Sequence, residues 1–113
     1  DWGHARDYVR AMWLMLQQNE PEDFVVATGQ SHSVEEFLDA AFSYVGLNFE
    51  DYLVIDKNLY RPSEVKILQG DATKARQKLR WSNTCSFDDL VKDMVDGDLN
   101  WYSTAQHQEK SSI

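Results

Sequence analysis

Positive charge is scarce in this chain. Its 113 residues carry 11 Lys and Arg against 19 Asp and Glu, a formal net charge of −8. That balance argues against general binding to nucleic acid or to anionic membranes. It leaves room for an anionic small ligand, because one or two arginines can hold a phosphate in an acidic protein. There is a single cysteine, Cys85, so no internal disulfide can form and a reducing, cytoplasmic setting is expected. No apolar run approaches the length of a membrane span, and no signal peptide is visible. The first residue is Asp1 rather than Met, and the expectation is a chain that begins in mid-protein.

Several catalytic patterns are also missing. No glycine-rich fingerprint follows a strand, and there is neither a phosphate loop nor a Cys/His cluster at metal-ligand spacing. No tyrosine is followed four residues later by a lysine. His4, His32 and His107 are scattered, with no nucleophile beside any of them. Each reads as a surface or capping histidine.

What is present is a globular pattern. The apolar fraction is 42 %, with four Trp, five Tyr and five Phe, which excludes a disordered chain. The length allows one small domain or a piece of a larger one. Ala5, Tyr8, Val9, Met12, Trp13 and Leu16 keep helical spacing, predicting a first helix over about 4–18. Ala11, Leu14 and Met15 widen its apolar face, which suggests burial between layers. Phe24 to Gly29 reads as a buried strand. Ser33 and Glu36 have the form of a capping box ahead of a helix ending at Gly46. Tyr52 to Ile55 reads as a second strand. Asp71 caps a short helix to about Leu79, with Ala72, Ala75 and Leu79 facing inward. Ser86 opens the last helix, and the polar tail after Tyr102 is expected to fray. The expected fold class is therefore α/β, with about four helices and two or three short strands. Two strands make a poor independent sheet, so this mixture independently suggests a fragment of a larger α/β protein. No linker or repeat divides residues 1–113.

The most informative stretch is Tyr60-Arg61-Pro62-Ser63-Glu64-Val65. Pro62 biases Arg61 towards an extended backbone. An extended arginine can present its planar fork to a diphosphate, and Glu64 can accept hydrogen bonds from the two hydroxyls of a ribose. The bland alternative on spacing alone is a turn with a solvent-facing Arg–Glu pair.

That stretch, with Gln69 to Ala75 and Leu79-Arg80-Trp81 after it, resembles the corresponding run of GDP-mannose 4,6-dehydratases. Asp1 to Val9 and Ala11 to Gln17 resemble another segment of the same family, and Phe24 to Gly29 and Ser33 to Phe37 a third. The likeness runs in order from Asp1 to about Asp98. It is nearest to members with a short connection, here Leu47 to Leu59. Trp2-Gly3-His4-Ala5-Arg6 favours the dehydratases over related reductases and epimerases.

The resemblance implies the C-terminal part of an extended short-chain dehydrogenase/reductase. Such enzymes have an N-terminal Rossmann domain that binds NADP and a smaller C-terminal domain that binds the sugar nucleotide. They convert GDP-mannose to GDP-4-dehydro-6-deoxymannose. On that basis Arg61 faces the diphosphate, Glu64 approaches the ribose, and Tyr60 helps shape the pocket. The family's cofactor loop, its catalytic Thr and Glu, its Tyr–Lys pair and a further diphosphate-binding arginine all correspond to positions before Asp1. The expectation is thus half a substrate site, with no catalytic residue, no metal and no bound cofactor. GDP-mannose binding by these residues alone should be weak or absent, the isolated chain inactive, and self-association possible through uncovered faces. The alternative is a stand-alone, non-catalytic binding or interaction protein that keeps the same fold.

Overall fold

The computed structural model describes residues 1–63, 65 and 67–110, with only the helical backbone described over 105–110. Among the described residues four α-helices form: α1 (Ala5–Leu16), α2 (Val34–Tyr44), α3 (Thr73–Lys78) and α4 (Phe87–Lys110). Two single 3-10 turns, Phe49–Asp51 and Lys57–Leu59, lie between α2 and α3. None of the described helices is long and apolar enough to cross a membrane.

Side-chain oxygens and one ring nitrogen set the helix starts. His4 caps α1, its Nδ1 accepting the Arg6 N–H at 3.0 Å. Ser33 and Glu36 close a reciprocal capping box at α2, with Ser33 Oγ 3.1 Å from the Glu36 N–H and Glu36 Oε2 2.6 Å from the Ser33 N–H. Two orphan amides are satisfied in this way. Beyond the cap of α2, Gly46 takes φ +75°, a backbone shape that other residues adopt at a cost. The Asp71 carboxylate accepts from both the backbone and the hydroxyl of Thr73 at the start of α3. At α4, Ser86 Oγ receives the Asp89 N–H at 3.1 Å.

The core lies where α1 meets α3. Ala11, Ala72, Ala75, Leu79 and Trp81 are buried together, with Tyr8, Leu14, Met15, Phe24 and Val26 packed around them. The inward set expected for α3 is the set observed. Glu22 ties α3 down, 3.0 Å from Lys74 Nζ and 2.6 Å from Lys78 Nζ. A second layer forms as α2 packs on α4. The rings of Trp2, Phe37 and Phe87 bring the chain start, α2 and α4 together at centroid separations of 5.3 to 6.2 Å.

The expected α/β class is corrected. Among the described residues there is no strand, and the fold is helical. Tyr52 closes the first 3-10 turn at φ −119°, ψ −13°, and Asp56 caps the second, so Tyr52 to Ile55 is an exposed link between two turns. Phe24 and Val26 do pack on the core, but Val25 remains exposed. The N–H groups of Thr28 and Gly29 bond to the Asp1 carboxylate instead of to a neighbouring strand. A strand exists only through a partner's ladder, and no partner is available within these residues. After Tyr102, α4 runs on to Lys110. No proline interrupts it, and the hydroxyls of Ser103 and Thr104 bond back to the carbonyls of Leu99 and Asn100.

Candidate functional site

A cleft of about 650 Å³ lies between the chain start, the loop before α2 and the segment leading to Gly70. Trp2, His32, Val34, Val65 and Leu68 give it apolar and aromatic walls, while Asp1, Ser31 and Gln69 supply polar edges. Flat rings combined with a few polar groups suit a ligand that is itself part apolar and part polar.

The Asp1 carboxylate organises the rim. Its Oδ1 accepts from the Thr28 N–H at 2.9 Å and the Thr28 hydroxyl at 2.6 Å. Its Oδ2 accepts from Gly29 N–H at 2.9 Å and Gly70 N–H at 3.1 Å. Three segments distant in sequence are thereby joined at one side chain. Ser31 Oγ donates to the Leu68 carbonyl at 2.9 Å, and an Arg76 Nη donates to the Thr28 carbonyl at 2.8 Å, closing the same knot. Gly70 makes the approach feasible, because a Cβ at that position would lie 2.3 Å from Ala27 Cβ.

Asp7 does the same at the other end of the core. It is buried, accepting from Thr84 N–H at 2.8 Å, Thr84 Oγ1 at 2.7 Å and Cys85 N–H at 3.0 Å. Its backbone carbonyl takes the Trp81 indole N–H at 2.8 Å. Burial pushes the Asp7 carboxyl up, yet the donors from Thr84 and Cys85 outweigh it and hold the group below its ordinary value. Burial, with Asp89 nearby, pushes the Cys85 thiol up. Cys85 is buried, and its thiol is held in the protonated form.

Of the sequence-derived residues, Tyr60 follows the second 3-10 turn at φ −66°, ψ 130° and is exposed. Arg61 is exposed beside Pro62. Neither is among the residues lining the cleft. Glu64 lies outside the described residues, and its neighbour Val65 lines the cleft. Sequence reasoning missed Asp1 and Asp7. Glycines 29 and 70 hinted at backbone amides able to approach a ligand or carboxylate closely, but no spacing pairs them with Asp1.

The histidines divide. Because His4 Nδ1 accepts from Arg6, its proton sits on Nε2 and is donated to Asp93 at 2.9 Å. The His32 ring stacks on Phe87 at 3.8 Å between centroids and 8° between planes. His107 lies beyond the residues whose side chains are described. Among the described residues no group of three acidic, His or Cys side chains is placed to hold a metal. Nor does a strand there lead through a glycine-rich turn into a helix, the arrangement that cradles a dinucleotide diphosphate.

Comparison with known proteins adds the family. The family model for GDP-mannose 4,6 dehydratase matches residues 1–94. GDP-mannose 4,6 dehydratase 2 of Arabidopsis thaliana is 60 % identical over 99 residues, covering 88 % of this chain and 26 % of that protein. GDP-mannose 4,6 dehydratase of Homo sapiens is 46 % identical over 121 residues, covering 92 % and 32 % respectively. The chain thus spans between a quarter and a third of the length of the curated relatives it matches. With most of its residues matched in order, including the whole of the core and of the cleft's lining, the chain belongs to the GDP-mannose 4,6-dehydratase family.

Proposed function

We propose that this chain is the sugar-nucleotide-binding portion of a GDP-mannose 4,6-dehydratase, a cytoplasmic enzyme that converts GDP-mannose to GDP-4-dehydro-6-deoxymannose with NADP as its resident cofactor. The observation that carries the reading is the family match across 1–94, which includes Tyr60 to Val65. NADP would supply the hydride chemistry of the reaction, and no residue of this chain is assigned to it. In this reading Arg61 clamps the diphosphate and Glu64 receives the ribose hydroxyls. Tyr60 flanks them. The exposure of Arg61 beside Pro62 supports that role, since a guanidinium at the surface is accessible to a ligand. These groups bind and orient; proton and hydride transfer belong to residues outside the 113.

A hybrid enzyme tests the assignment. The matching quarter of the Arabidopsis dehydratase is replaced by this chain, and turnover of GDP-mannose is followed with and without Arg61→Ala. Losing charge-assisted bonds made equally in ground and transition states raises KM by about tenfold to a hundredfold and leaves kcat nearly unchanged. Glu64→Gln gives a smaller rise. An unchanged KM in the Arg61→Ala hybrid would remove the diphosphate role.

A further inference from the structure

Another concavity, of about 330 Å³, lies between the C-terminal half of α2 and the middle of α4. Phe42 and Val45 of α2, Leu47 just beyond it, and Val95, Leu99 and Tyr102 of α4 give it apolar walls. Among the described residues Asp98 alone brings a charge to its lining. The groove is open: Val45, Leu47, Leu99 and Tyr102 are 40, 45, 52 and 67 % exposed. One residue away on either helix, the Tyr44 hydroxyl donates to the Asp96 carboxylate at 2.9 Å and fixes the spacing of the walls. The family model ends at residue 94, so the α4 wall falls outside the family match.

The negative charge of the chain is gathered around this groove. Residues 31–56 hold six carboxylates and no Lys or Arg, and residues 86–104 hold five carboxylates and one Lys, a combined charge of −10. The rest of the chain is therefore +2, since the total is −8. All eleven of those carboxylates are on exposed residues. Asp96 and Asp98 stand at the groove itself, and Glu50 and Asp51 lie on the 3-10 turn that contacts α2.

We infer that this groove docks a basic amphipathic segment of another protein. Its apolar side seats on Val45, Leu99 and Tyr102, and its Lys or Arg side chains meet Asp96, Asp98 and the carboxylates around them. Apolar contact supplies the affinity, while the charge speeds the encounter and rejects acidic segments. A second copy of this chain is a poor occupant, because it would bring the same negative layer. The inference uses neither Arg61 nor the sugar-nucleotide reading, so its test reads peptide binding rather than turnover.

A fluorescent peptide of about 14 residues, ~21 Å of helix, carries Leu along one face and Lys on the other. It is titrated into the 113-residue chain and into the hybrid with the Arabidopsis dehydratase, and anisotropy is followed. Both should bind it with a Kd of about 1–50 μM. The same Leu face with Glu in place of Lys should not bind, nor should the Leu/Lys composition scrambled so that no apolar face remains. Leu99→Ser should weaken binding at least about tenfold, and Asp98→Lys about fivefold. Melting midpoints check that each variant folds, and a lowered midpoint in Leu99→Ser leaves Asp98→Lys to decide. No binding by the wild-type chain, equal affinity in the folded variants, or equal binding of the scrambled peptide would overturn the inference. So would a peptide bound by the isolated chain and refused by the hybrid, because the rest of the enzyme then covers the groove. Micromolar self-association that is lost in Asp98→Lys or Leu99→Ser would overturn it as well, the occupant then being a second copy.

Discussion

Two aspartates carry the long-range architecture at the residue scale, and neither announces itself in the sequence. The Asp7 carboxylate meets Thr84 and Cys85 from 77 and 78 positions away, and Asp1 meets Gly70 from 69. Hydropathy periodicity reports which residues face inward, but it is silent on which carboxylate a distant amide will find. Local caps are different. Ser33 with Glu36, and the histidine ahead of α1, were legible because donor and acceptor lie within three residues. Asp7→Asn turns one acceptor into a donor facing buried donors. It should cost about 3 kcal/mol, measured by denaturant unfolding. A pH effect accompanies it. In the unfolded chain an Asp carboxyl titrates near 3.9, whereas in the fold Asp7 titrates lower. The unfolded state takes up the proton first, so the contribution is complete above about pH 4 and disappears as pH falls through the folded value. Wild-type stability should therefore fall more steeply than that of Asp7→Asn between pH 5 and 3. Parallel slopes in the two proteins would show that the hydrogen bonds do not hold the charged form.

At the scale of elements the helices were readable and the extended segments were not. The longer helices have their periodicity, and α1 and α2 also their caps, within a dozen residues. A strand is a statement about two segments, and Val25-Val26 looks the same in sequence whether or not a partner lies beside it. The short α3 is held by side chains reaching outside it, to Glu22 and to the Asp23 carbonyl, which is why six residues suffice. Two substitutions probe these joints. Ser33→Ala removes one half of the α2 box and should cost about 1 kcal/mol in a thermal melt, with little change to the rest of the fold. Gly70→Ala sets a new Cβ against Ala27 Cβ, both fixed to backbone. The two segments must separate, at a cost of about 1–3 kcal/mol, and the Gly70 N–H withdraws from Asp1. Unchanged unfolding midpoints in Gly70→Ala would mean that the segments part freely and that Asp1 does not bind them as a unit.

The whole molecule has less interior than its apolar content calls for. Only small side chains and a few large ones are buried, and the exposed apolar residues include Val54, Leu59, Ile67 and Leu68 as well as Val9, Met12, Trp13 and Leu16 of α1. The described residues between the second 3-10 turn and Gly70 are exposed, and this connection bears Tyr60 and Arg61. A ligand gripped there alone would have to order both itself and the loop. Binding energy is the surplus left after such ordering, and one guanidinium with an open loop leaves little. Calorimetric titration of GDP-mannose into the 113-residue chain should thus give no isotherm at micromolar concentrations, with any association confined to the millimolar range. The hybrid enzyme, in which the loop and the cleft between Trp2, His32 and Leu68 gain a facing wall, should bind the same ligand at least about a hundredfold more tightly, a difference of ~2.7 kcal/mol. Micromolar binding by the isolated chain that vanished in Arg61→Ala would show instead that the half-site is already organised. The surface would then count as a self-sufficient nucleotide-sugar module.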